Sequence, residues 1–95
     1  MPDAPGLSIE HQADRRRFAV DVDGHEAELD YLLEDGVLAI VHTGVPAAIA
    51  GRGIAAALVQ AAVDHARQAG LRVRPACTYA AAWMERHPEY AGQQA

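Results

Sequence analysis

The sequence predicts an α+β domain: an antiparallel β-meander, then a β-α-β unit and a short C-terminal helix, sharing one mixed sheet. Three features predict it. Apolar and polar residues alternate with period 2 through residues 18–33, a uniformly apolar run fills 37–41, and the spacing becomes helical from residue 51.

Residues 1–7 carry Pro2 and Pro5 and read as a flexible tail, and residues 8–12 as a first short strand. Phe18, Val20 and Val22 then alternate with Ala19, Asp21 and Asp23, the mark of a half-buried strand. Asp23-Gly24 is a tight hairpin signal, because glycine accepts the positive φ of the favoured turns. The next strand sets Ala27, Leu29, Tyr31 and Leu33 on one face against Glu26, Glu28 and Asp30 on the other. After the Glu34-Asp35-Gly36 turn, Val37–Val41 reads as a central strand covered on both faces.

Over residues 51–69, Ile54, Leu58, Ala61 and Ala62 form an apolar stripe that Val59, Val63 and Ala66 widen. Gly70 suits the helix C-terminus, where the left-handed position favours glycine. Leu71–Arg74 reads as a strand stopped by Pro75, and residues 80–86 as a helix ended before Pro88, with Trp83 and Met84 packing it on the sheet.

With 95 residues, the chain is expected to form one domain over residues 1–95, and a monomer. Eight basic residues against thirteen acidic ones, net −5, argue against a nucleic-acid partner, since phosphate neutralisation needs a basic face. The start lacks a signal-peptide pattern and the aliphatic runs fall far short of the roughly 18–20 residues of a membrane span, so a cytoplasmic protein without a membrane partner is expected. The single Cys77 excludes an intramolecular disulfide and a multi-cysteine zinc site. His11, His25, His65 and His87 share no metal-ligand spacing; His65 reads as a helix-face residue and the others as surface or cap residues, with no metal expected. Arg15-Arg16-Arg17 reads as a solvated basic run.

The strands at 37–41 and 71–76 should be parallel and joined by a right-handed crossover. That order gathers His42 to Val45, Gly51 to Ile54 and Cys77 at one sheet edge, where ligands bind in open α/β sheets. Gly51-Arg52-Gly53-Ile54-Ala55 opens the helix, as either an anion cradle of unpaired N–H groups or a turn that merely starts it. It is neither a P-loop nor a dinucleotide fingerprint. His42 is either a general base or a strand-end histidine bonded to backbone, and Cys77 either a nucleophile beside a helix N-terminus or a small buried residue.

Taken together, Phe18…Asp23-Gly24, Leu29-x-Tyr31, His42-Thr43-x-Val45-Pro46, Gly51-Arg52-Gly53-Ile54-Ala55, Leu58-Val59, Pro75-x-Cys77-x-Tyr79, Trp83 and His87-Pro88-Glu89-Tyr90 resemble a known family. It is the short, single-domain branch of the GNAT N-acetyltransferase superfamily, over residues 8–90. The resemblance implies a GNAT-like mixed sheet and acetyl transfer from acetyl-coenzyme A to an amine: a lysine, an N-terminus or a small amine. It implies that Gly51, Arg52, Gly53, Ile54 and Ala55 cradle the pyrophosphate and that Thr43 and Val45 flank the pantetheine arm. Cys77 would be the catalytic cysteine, with His42 taking its proton.

Two departures from the family pattern stand out. Ala48 occupies the Gln/Arg position before the glycines, and the helical region between the first two strands is missing, which leaves the acceptor an open groove. No carboxylate base is evident at the edge, so the alternative is a non-catalytic module that binds coenzyme A or acetyl-coenzyme A.

Overall fold

A computed structural model describes residues 7–95; apart from Leu7, the tail expected at the start lies outside the described residues. The strands are β1 (Glu10–Gln12), β2 (Arg17–Val22), β3 (His25–Glu34), β4 (Val37–Gly44) and β5 (Arg72–Pro75). The helices are α1 (Ile54–Gln68) and α2 (Thr78–Arg86), with short 3-10 turns at Ala13–Arg15, Ala47–Ile49 and Pro88–Gln93. One sheet runs in the order β1-β2-β3-β4-β5, antiparallel up to β4 and parallel between β4 and β5. The expected meander and β-α-β unit are both present.

Alternation decides which face is buried. Phe18 and Val20 on β2, Ala27, Leu29 and Tyr31 on β3, and Leu38 and Ile40 on β4 meet the α1 stripe of Ile54, Leu58, Val59, Ala62, Val63 and Ala66. Trp83 and Met84 bring α2 onto the same core. α1 closes with paired bonds at its C-terminus, from Leu71 N–H to the Ala66 carbonyl and from Gly70 N–H to that of Arg67. This termination turns the chain straight into β5.

Both helices lie on one side of the sheet, which corrects the expectation for Val37–Val41. Leu38 and Ile40 are buried beneath the helices, Val37 and Ala39 are half-buried, and Val41 is exposed. The uniformly apolar sequence suggested two covered faces, but only one exists. Leu33 also departs from its expected core position: it pairs with buried Leu38 yet is itself exposed near the end of β3.

Some side chains find company that their sequence position did not suggest. His11, expected at the surface, stacks on Phe18 with ring centroids 4.1 Å apart and hydrogen-bonds the Tyr31 hydroxyl at 2.6 Å. His65 meets the His11 ring edge-on, with centroids 4.3 Å apart. Arg17, read as solvated, is half-buried and pairs with Asp30 at 3.0 Å. His87 does cap α2, donating from Nδ1 to the Trp83 carbonyl at 2.7 Å. Among the described residues no helix is long and apolar enough to cross a membrane.

Candidate active site

Two irregularities build the site. The first is a β-bulge: Asp30 pairs with His42 but Tyr31 pairs with Ile40, leaving Val41 as an extra residue on β4. An added residue exchanges the faces of everything beyond it. Thr43 therefore sits opposite buried Leu29, on the helix-covered face, while His42 sits with Asp30 on the uncovered face. The second is the parting of the parallel strands. Pairing between β4 and β5 ends at Ile40 and Pro75, and the N–H groups of Ala76 and Cys77 both turn in to the Ile40 carbonyl. Past Ile40, the β5-facing edge of β4 has no strand partner among the described residues.

At the mouth of this gap lies a cleft of 300 Å³ lined by Val45, Gly51, Gly53, Ile54, Ala55 and Tyr79, among others. Its size falls at the small end of ligand pockets. Gly51 and Gly53 adopt φ +80° and +76°, a left-handed geometry that side chains resist. Among the described residues, adjoining ones aside, no atom lies within 4 Å of where either Cβ would stand. Gly53 is the N-cap of α1, and among the described residues no side chain caps that end. The first-turn N–H groups and the helix dipole thus face open space, a ready seat for an anion.

Five of the seven residues expected to bind the cofactor (Val45, Gly51, Gly53, Ile54 and Ala55) meet in this cleft. Arg52 turns to the β2–β3 hairpin instead, where its guanidinium bonds Asp23 at 2.7 Å. Thr43 lies deeper, with its hydroxyl 3.6 Å from the Cys77 sulfur. Cys77 is the N-cap of α2, half-buried, and its sulfur accepts the Ala80 N–H at 3.4 Å. Tyr79, which entered the sequence pattern but not the expected site, lines the cleft.

His42 and Cys77 occupy different surroundings. Nε2 of His42 donates to Oε2 of Glu28 at 3.1 Å, whereas the thiol meets Thr43. No hydrogen bond joins His42 to Cys77 among the described residues. The bulge explains the difference, since strict alternation from Ile40 would have turned His42 toward the core face. Sequence reasoning also missed Glu28, the carboxylate at this edge; its signal was the cross-strand register, which a hidden bulge obscures.

A mixed sheet whose parallel strands part over an uncapped glycine turn is the layout of a GNAT-like α+β domain. The solution structure of a GCN5-like protein from Staphylococcus aureus superimposes with a TM-score of 0.73 and 26% identity, over 96% of this chain and 90% of that one. The sequence model of the GCN5-related N-acetyl-transferase family matches residues 17–93. The chain belongs to that family. It is also similar to Protein NATD1 of Xenopus tropicalis, 31% identical over 91 residues, which cover 93% of this chain and 84% of the relative. Protein NATD1 of Mus musculus is 32% identical over 85 residues, covering 86% and 77%.

Proposed function

We propose that the protein transfers the acetyl group of acetyl-coenzyme A to a primary amine. The observation that carries this reading is the cleft between the parting strands, floored by the Gly51–Ala55 turn. In this reading the pyrophosphate rests on the first-turn N–H groups of α1, with Arg52 close by. The pantetheine arm runs along the free edge of β4 past Thr43 and Val45, taking the hydrogen bonds a fifth-strand partner would otherwise make. Its thioester then reaches the gap between His42 and Cys77.

Transfer proceeds in two steps. The Cys77 sulfur adds to the thioester carbonyl and coenzyme A departs as the thiol, carrying the proton Cys77 gives up. The neutral amine then attacks the acetyl-cysteine; the amide forms and the sulfur leaves as the thiolate. His42 takes the amine's surplus proton and passes it to solvent, and the thiolate regains a proton from water. Both contacts of the sulfur, the Ala80 N–H and the Thr43 hydroxyl, can donate to it while it carries negative charge. The missing cover on the other face leaves the amine an approach to His42.

The experiment is release of free coenzyme A in the presence of a lysine peptide, a peptide with a free N-terminus and a polyamine. Release that depends on at least one amine is expected. Coenzyme A binding with no amine-dependent release would leave a non-catalytic binding module.

A further inference from the structure

Glu28 and His42 do more than share an exposed face. Their contact crosses directly above Gly44, the residue opposite Glu28 in the β3–β4 register. A Cβ at position 44 would stand 2.7 Å from Oε2 of Glu28 and 2.9 Å from Nε2 of His42. A side chain there would push one or both of these side-chain ends aside, so the bare backbone of Gly44 is the floor on which the pair rests. The His42 side chain is 55% exposed and that of Glu28 24%, so the carboxylate sits behind and the imidazole in front.

The neighbouring Asp30 does not compete for the imidazole. Its Oδ1 accepts from Nε of Arg17 at 3.0 Å, which occupies and neutralises it. Among the described residues, Glu28 is left as the one hydrogen-bond partner of the ring. An ionised carboxylate can only accept, so Nε2 carries the hydrogen, and in the neutral ring Nδ1 keeps its lone pair. We propose that Glu28, seated over Gly44, is a positioning residue that fixes the His42 tautomer and aims Nδ1 at the acceptor amine. This rests on the acetyl-transfer reading above for what His42 does, while the placement of the ring stands apart from it.

The test uses the full chain and two readouts. Proton–nitrogen correlation spectra report the His42 tautomer, and steady-state kinetics report kcat and KM for the amine. The wild type should show the Nε2–H tautomer. Glu28→Ala and Gly44→Ala should lose that bias and lower kcat by up to about 100-fold, as misaimed catalytic groups do, and Glu28→Ala should leave the Kd for coenzyme A unchanged. Glu28→Gln, whose amide oxygen still accepts, should keep the tautomer. Because Glu28 acts through the ring, Glu28→Ala should cost nothing further in a His42→Gln background. A His42 ring unchanged by Glu28→Ala, or losses that multiply in the double variant, would overturn the proposal. If the wild type releases no coenzyme A with any amine, the transfer reading fails, and the spectra still decide whether Glu28 holds the ring.

Discussion

The Thr43 hydroxyl lies 3.6 Å from the Cys77 sulfur, joining the end of β4 to the N-cap of α2 at the point where β4 and β5 cease to pair. The contact exists because the Val41 bulge turns Thr43 to the covered face. It makes the cysteine part of the gap wall and adds a second polar neighbour to the Ala80 N–H.

From this contact follows a mass-spectrometric prediction. After incubation with acetyl-coenzyme A, the intact protein should gain one acetyl group, and Cys77→Ala should gain none. Thr43→Val, close in shape but without the hydroxyl, should form the adduct several-fold more slowly. Wild-type turnover in Cys77→Ala, with no adduct on the native chain, would reduce the thiol to a wall of the gap and reject the two-step path.

Arg52, between the two cleft-lining glycines, meets Asp23 at 2.7 Å, with both side chains about half exposed or more. Exposed pairs contribute up to about 1 kcal/mol, so the competition they impose on a phosphate is worth about fivefold in affinity at most. Asp23→Asn keeps a residue that tolerates the φ of +52° found there while freeing the guanidinium. Coenzyme A should bind a few-fold more tightly at low salt, with the gain fading as salt rises. Weaker binding by Asp23→Asn in calorimetry would contradict this role for Arg52.

The His11 cluster predicts a pH dependence of stability. Burial, and then the neighbouring His65, push His11 below its ordinary value of 6.5. The unfolded chain therefore binds more protons than the folded one below that pH, and stability falls as the pH drops from about 6.5. Urea midpoints should be lower at pH 5.5 than at pH 7.5, and His11→Phe, which can still stack on Phe18, should flatten the difference. Equal slopes in the two proteins would assign the acid sensitivity elsewhere.

Leu58 is wholly buried on α1, the helix whose N-terminus floors the cleft. Leu58→Ala should cost about 2–5 kcal/mol in urea unfolding, the range for a buried leucine whose cavity only partly collapses. A loss below about 1 kcal/mol would mean that this face of α1 is far more loosely packed than its burial implies.

Much of the fold was legible because each element follows a local rule. The alternation of Phe18, Val20 and Val22, the hairpin glycine at 24 and the stripe from Ile54 to Ala66 each depend on neighbours within a few residues. The Gly51-Arg52-Gly53 turn was legible for the same reason. What escaped depends on distant partners. A bulge at Val41 leaves no mark in an apolar run, yet it decides that His42 meets Glu28 and Thr43 meets Cys77. The imidazoles of His11 and His65, 54 positions apart by their numbers, are brought together only by packing of α1 across β1 and β2. The single covered face was likewise invisible, because Val37–Val41 is equally apolar on both sides.

The central claim is that the Gly51–Ala55 turn binds the pyrophosphate of coenzyme A, and calorimetric titration tests it most directly. Wild-type protein should bind coenzyme A and 3′-dephospho-coenzyme A within a few-fold of each other, because the two share the pyrophosphate. Gly53→Asp should bind neither. Its Cβ meets nothing within 4 Å, and Asp is among the residues that visit the left-handed region, so the chain should stay folded while a carboxylate stands where the phosphate would rest. Absence of binding by the folded wild type at millimolar ligand, or undiminished binding by Gly53→Asp, would contradict the account.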